Sequence, residues 1–401
     1  MVFVLGVVLF AVGIAASIAL HEAGHMWTAK ALGMKVRRYY IGFGPKIFSF
    51  RRGETEYGLK AIPAGGFCDI AGMTAMDELT PDEAPRAMYK QKTWKRLVVM
   101  CGGIVMNFVL GIVLVYVLAV GWFLPNRDTS PTVTNLGCAA ATQAEDGTLS
   151  ECWGQGPAEQ AGIEIGDRIV GVDGTRTETF SDVVLATQKL SGPTEFTIDR
   201  DGTEFDVTVP VQQVQRMVYV DGTSEVRSQD VGAIGVSGPP SRVEYGALSA
   251  VPATFAYTGD IFVETGKALV SLPSKAVDLW HAIAGGERGL DTPVSVVGAS
   301  VIGGQAAEAG NIPMFVSLLA SLNFFLGAFN ILPLLPLDGG HMAVAIYEKI
   351  RNWIRNLRGE PDGAPVNYLR LLPITYVFVV IGGAFMLLTL TADIVNPIKL
   401  F

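Results

Sequence analysis

His21, Glu22 and His25 lie in the stretch ALHEAGHMW, Ala19 to Trp27, with the spacing of an H-E-x-x-H motif. Positions i and i+4 share one face of a helix, so both imidazoles can reach a single Zn2+. The glutamate next to the first histidine is then placed to take a proton from water that the metal activates. The motif closes a run of nineteen uncharged residues, Val2 to Leu20. An ionisable side chain at bilayer depth costs at least ~2.5 kcal/mol unless something satisfies it. A metal would satisfy all three residues, and the alternative is two histidines hydrogen-bonded between packed helices.

A catalytic zinc needs three protein ligands and keeps a further position for water. The other histidines are His281 and His341, and a stronger third candidate is acidic. Asp338 is the only charged residue of NILPLLPLDGGH, Asn330 to His341, which ends the third apolar run. His21 precedes the first charge expected outside the span, Lys30, by nine residues, and Asp338 precedes Glu348 by ten. At 1.5 Å per helical residue, both sit about 13 to 15 Å in from the adjoining loop. Pro333 and Pro336 break that run, which at such depth is tolerated only beside protein or a wet cavity. Gly339 and Gly340 either give the turn mobility or merely permit it to be tight. His341 reads as a surface residue near a turn, and His281, beside Trp280, as packing or an interface anchor.

The elements that carry these residues are membrane spans. Half of the 401 residues are apolar, only 17% are charged, and the apolar residues fall in blocks too long for the core helices of a soluble protein. Uncharged windows cover Val2–Leu20, Leu97–Leu124, Ile312–Leu337 and Leu371–Ala392. Each is near or above the ~20 residues a helix needs to cross the hydrocarbon core. The fold class expected is an α-helical membrane protein with four spans. The first is expected to stay attached, since no basic residue precedes Lys30 and no small-residue cleavage pattern follows the apolar run. From Lys30 to Arg96 there are 13 basic and 7 acidic residues, against 11 and 25 from Asn126 to Ile312. The first loop is therefore expected inside and the long middle segment outside, with both termini outside. Cys138 and Cys152 share the exported segment and either form a disulfide or remain two buried thiols.

The expected organisation is a first span over 1–32, a membrane-associated β-hairpin loop over 33–72, a cytoplasmic connector over 73–96 and a second span over 97–124. An exported domain follows over 133–211, then an amphipathic surface helix over 243–273, a third span over 312–340 and a fourth over 371–392. The hairpins follow from short aromatic and β-branched runs punctuated by GFGP, RG and AGG. The surface helix follows from Asp260, Glu264 and Lys267 within an otherwise apolar stretch. In the exported segment, GPAEQAGIEIGDRIVGVDG and the alternating TEFTIDRDGTEFDVTV resemble a PDZ domain, a β-rich α+β fold.

Taken together, H-E-x-x-H in the first span, N-x-x-P-x-x-P-L-D-G in a later one and a PDZ domain between them resemble the bacterial site-2 proteases, above all the actinobacterial members that cut anti-sigma factors. The resemblance implies an intramembrane zinc endopeptidase of the bacterial plasma membrane acting on single-pass membrane proteins. It implies His21, His25 and Asp338 as zinc ligands and Glu22 as the catalytic base. Asn330 would contact the substrate backbone, and the Gly42 to Gly66 hairpins, with Gly65 and Gly66, would match the family's re-entrant β-loop. An ordinary hairpin without substrate contact is the alternative for that loop. For the chain as a whole, the rivals are a non-enzymatic PDZ adaptor and a metal-ion transporter. The adaptor is opposed by three ligands with an adjacent glutamate, and the transporter by second and fourth spans that carry no charge. Lipid is the expected surrounding partner. No Walker-type phosphate loop or basic array for nucleic acid is present.

Overall fold

In chain order the helices are α1 (Val2–Ala31), α2 (Thr93–Gly121), α3 (Pro157–Gln160), α4 (Phe180–Thr187), α5 (Ala247–Ile283), α6 (Val296–Glu308), α7 (Ile312–Ile331), α8 (Asp338–Leu357) and α9 (Leu372–Val395). Strands β1 (Val36–Arg52) and β2 (Thr55–Ile70) follow α1. The structure, a computed structural model, describes residues 1–144, 147–219 and 226–400. It divides into two units, one made of Met1–Trp122 with Gly246–Phe401 and the other of Phe123–Tyr245.

In the first unit, α1, α2, α7 and α9 are long and apolar enough to cross a membrane. Because α1 is apolar on every side, it has no amphipathic stripe to direct its packing, and small residues take that role. Its N-terminal half lies on α6, where a Cβ on Gly6 would sit 2.6 Å from Ala307 Cβ and 3.0 Å from the Gly304 backbone. Its C-terminal half lies on α2, where Gly24 and Gly102 meet so closely that a side chain on either would run into the other's backbone. The last turns of α1, the start of α2 and the base of the hairpin share a core that includes Met26, Met34, Val36, Ile70 and Val99.

Strands β1 and β2 fold back into a small curled sheet. Tyr40 pairs with Phe67 on one side and with Gly58 on the other, while Phe50 pairs with Tyr57 further along. This leaves the Gly66–Ile70 stretch at one margin of the sheet. Gly42 and Gly44, at φ 86° and 80°, make the bend that β1 needs to double back.

Two expectations change in detail. The surface helix expected over 243–273 is the longer α5, and it packs against α2, α7 and α9. Phe262 lies against Phe108 and Phe324, with ring centroids 4.9 and 5.3 Å away. The charges that suggested a surface position stay on its open side, where Glu264 and Lys267 pair at 2.7 Å and are each about two-thirds exposed, and Asp260 and Glu264 border an open groove among α1, α5, α6 and α7. The third span, expected over 312–340, ends as α7 at Ile331, since neither Pro333 nor Pro336 can donate to a continuing ladder. Asp338 opens α8, so the charged segment read as a loop is largely helical. Ile346, Ile350, Trp353 and Leu357 recur at helical spacing among its charges and are exposed. The C-terminal end of α9 is fixed by a buried ion pair, Arg288 to Asp393 at 2.7 Å, whose other carboxylate oxygen accepts from the Ser295 amide.

The second unit is built on a five-stranded antiparallel sheet with strands in the order Thr175–Arg176, Arg168–Val172, Gly192–Arg200, Thr203–Tyr219 and Val226–Ala233. Ile169, Ile198, Phe196 and Val209 face inward and α4 covers them through Val183. The unit extends past the expected 133–211, because Val226–Ala233 completes the sheet and Val236–Ser237 pairs with Asn135–Leu136. Cys138 and Cys152 are joined in a disulfide, with Cα atoms 5.9 Å apart.

Candidate metal centre

The C-terminal half of α1 presents His21 and His25 to α2, and their Nε2 atoms lie 3.1 Å apart. Asp338, at the first position of α8, brings Oδ2 to 3.1 Å from His21 Nε2 and 3.3 Å from His25 Nε2. Both histidines are buried, and Asp338 is nearly so. Although Asp338 Oδ2 is within ion-pair range of both rings, it makes no hydrogen bond. Three ligand atoms therefore converge, the two Nε2 atoms facing each other and Asp338 Oδ2 left without a hydrogen bond. A tetrahedral zinc with bonds of about 2.0 to 2.1 Å holds its ligand atoms roughly 3.3 Å from one another, so this donor set fits that ion.

The far side of each ring supports the same conclusion. His25 Nδ1 lies 2.8 Å from the Val99 carbonyl, which accepts its hydrogen and turns Nε2 toward the cluster. His21 Nδ1 lies 3.2 Å from the Asn107 amide nitrogen, while Asn107 Oδ1 is buried without a partner. Exchanging the oxygen and nitrogen of that amide, which have nearly the same shape, gives His21 Nδ1–H its acceptor and satisfies Oδ1. The backbone of α2 passes very close to the ligand atoms at Gly103. A Cβ there would overlap His25 Nε2 and sit 2.7 Å from His21 Nε2.

Glu22 stays partly accessible beside the cluster and faces the sheet margin, where a Cβ on Gly66 would lie 3.1 Å from Glu22 Cγ. Gly65 precedes it at φ 145°, a backbone conformation that favours glycine. The structure thus brings His21, His25, Asp338, Glu22 and Gly66 to one locality. Asn330 is not gathered into the ligand cluster, and its amide donates to Leu326 O in its own helix at 3.0 Å. His341 stacks on Tyr368 and also lies outside the cluster. His281 is exposed in the last turn of α5.

Gly103 and Asn107 were not singled out from sequence. A side-chain amide in a charge-free span was the available signal for Asn107. For Gly103 there was none. A further contact ties α8 to α2: Arg96 donates to Glu348 at 2.6 Å, and both side chains are buried.

A bundle of apolar helices that gathers two histidines and an aspartate around one point, with a glutamate adjacent, defines an intramembrane zinc metalloprotease. Residues 9–373 match peptidase family M50, and the chain belongs to that family, the site-2 proteases. It is 53% identical to "Zinc metalloprotease Rip1" of Mycolicibacterium smegmatis and 52% identical to the protein of the same name in Mycobacterium tuberculosis, each over 100% of both chains. "Metalloprotease MmpA" of Caulobacter vibrioides is 28% identical, covering 86% of this chain and 87% of its own. The chain is accordingly a zinc metalloendopeptidase embedded in the membrane, and zinc is its metal.

Proposed function

We propose that the protein cleaves peptide bonds in the transmembrane segments of single-pass membrane proteins, anti-sigma factors among them, in a bacterial plasma membrane. His21, His25 and Asp338 hold the metal, and Glu22 acts as the base. The carrying observation is the convergence of three ligand atoms, one of which, Asp338 Oδ2, is buried without a hydrogen bond, with Glu22 next to them.

Zn2+ at this cluster supplies Lewis acidity for the scissile carbonyl and for the attacking water. Glu22 takes the proton from that water and passes it to the leaving nitrogen. A helical substrate hides its carbonyls in its own hydrogen bonds, so it must be held extended to be cut. The Gly66–Ile70 margin of the curled sheet, beside Glu22, is suited to pair with such a strand. We take this sheet as the re-entrant β-loop of the family, with Gly65 and Gly66 keeping room for the substrate backbone and Asn330 contacting it further on.

The Phe123–Tyr245 unit we read as a PDZ domain outside the membrane, from its P-A-x-x-A-G and G-D-x-I motifs and its antiparallel sheet covered by α4. In this reading it governs which substrates reach the site, and the described metal-ligand cluster lies outside it. The basic-residue bias sets Lys30–Arg96 on the cytoplasmic side and both termini outside.

The test is Glu22→Ala. The purified variant should bind zinc as the wild type does and lose cleavage of a single-pass test substrate. Full activity in the zinc-loaded variant would overturn the mechanism.

A further inference from the structure

A cavity of about 850 Å3 opens between α8 and α9. Along α8 its wall is a single stripe, Gly340, Val344, Tyr347, Arg351 and Arg355. These positions are three or four residues apart and cover about 22 Å of helix. Leu371, Ile374 and Phe378 face it from the start of α9. The character of the groove changes along its length. Near Gly340 and Pro333 it is apolar, Arg351 and Arg355 stand at the far end of the α8 stripe, and Arg370 borders the groove from the turn that precedes α9.

The three cations differ in how they are satisfied. Arg355 pairs with Glu360 at 3.2 Å. Arg351 has no acidic partner among the described residues, and it donates instead to Asn352 Oδ1 and to the Ala364 carbonyl and lies over the Tyr347 ring. Arg370 likewise has no ion-pair partner among the described residues, and it sits immediately before the α9 span, where chain passes from water to hydrocarbon. Most of α9 is exposed, and α8 exposes Ile350, Trp353 and Leu357, so both walls of the groove belong to elements that present apolar surface outward.

We propose that this groove binds an anionic phospholipid, with the headgroup phosphate on Arg351 and Arg370 and an acyl chain along the stripe toward Gly340 and Pro333. Guanidinium groups match phosphate oxygens in shape as well as charge. Basic residues at the membrane boundary attract anionic headgroups. A soluble anion would leave the apolar length of the groove unfilled. A transmembrane substrate segment fits poorly at this end, because the cytoplasmic flanks of such segments carry an excess of Lys and Arg and would meet like charge. The proposal rests on the membrane-embedded reading of the chain and is independent of which residues hold zinc. The apolar end of the groove is the Pro333–Leu335 stretch, three residues before Asp338, so the bound lipid lines the segment that delivers the third candidate ligand.

The test uses the full-length protein, equilibrated in nanodiscs with equal phosphatidylglycerol and phosphatidylcholine, then released and weighed by native mass spectrometry. The wild type should retain phosphatidylglycerol in preference to phosphatidylcholine. Each arginine removed should lower that preference roughly fivefold. Arg370→Gln is the cleaner single variant, since Arg351 also supports the Ala364 carbonyl. The double variant Arg351→Gln, Arg370→Gln should show about a 25-fold loss. Equal retention of the two lipids by the wild type would overturn the proposal, as would an unchanged preference in Arg370→Gln. So would a photo-reactive residue at position 374 that captures a peptide segment rather than lipid.

Discussion

Adding one methyl group to α2 should weaken zinc binding. In Gly103→Ala, the new Cβ overlaps His25 Nε2 and lies 2.7 Å from His21 Nε2, the two atoms that point at the metal position. The rings have little freedom to retreat, since His25 Nδ1 is held at 2.8 Å by the Val99 carbonyl of the same helix and His21 rests against Asn107. Moving α2 away from α1 would instead open the contact between Gly24 and Gly102. Forcing extra volume into a packed site costs about 1 to 3 kcal/mol. If that cost falls on the metal-bound state, zinc affinity drops by roughly 5- to 150-fold. The assay is zinc retention against a graded chelator, with cleavage of a single-pass substrate measured alongside. Gly383→Ala on α9 is the control, because nothing lies within 4 Å of its added Cβ. It should gain up to about 1 kcal/mol of helix propensity and leave zinc binding unchanged. A Gly103→Ala protein within twofold of wild type in zinc affinity would refute the reasoning.

Asn107→Leu should lower zinc affinity about 10- to 100-fold by removing the acceptor for His21 Nδ1–H, and Asn107→Asp should retain more. Equal loss in the two variants, by the same chelator assay, would argue against the hydrogen bond. A second expectation concerns pH and lies outside the membrane. Arg37 donates to both oxygens of Glu83, at 3.0 and 2.7 Å, and holds that carboxyl well below its ordinary value of 4.5. Such a group contributes stability that is complete above the ordinary value and lost as pH falls through the depressed one. Amide exchange in residues 73–92, corrected for its intrinsic rate, should therefore accelerate below about pH 4, and Glu83→Gln should already exchange fast at neutral pH. A wild-type segment with no acid response would remove the ion pair as its support.

The parts of this site that can be read from sequence are those that depend on local geometry. Two histidines four apart share a helix face wherever the helix goes, and one aspartate in an apolar run stands out without any knowledge of packing. Gly103 and Asn107 acquire meaning only when α2 is pressed against α1, and in the string CGGIVMN the glycine resembles any small residue of a span. For α5 the charges show only one of its two faces. Glu264 and Lys267 pair on the exposed side as their spacing suggests, while the same helix turns Phe262 onto Phe108 and Phe324. Which partners its apolar face meets is a matter of packing that a count of charges does not give. For α8 the helical period of Ile346, Ile350, Trp353 and Leu357 is present in the sequence, although Glu348 reads there as the edge of a loop.

Asp338 begins a helix of its own, more than three hundred residues after His25. Ribosomes make chains from the N-terminus, so for most of synthesis the nascent protein has both imidazoles and the glutamate but not the carboxylate that completes the set. During that period its first span already lies in the same bilayer as every other membrane protein being inserted. A hydrolase assembled from contiguous residues would be armed as soon as that span was in place. With Asp338 as the proposed third ligand, arming waits until the third span is inserted and α8 has docked through Glu348 onto Arg96. On the proposed ligand set, a chain that stalls or is truncated before that point lacks the third donor, and latency would follow from the order in which the ligands are made.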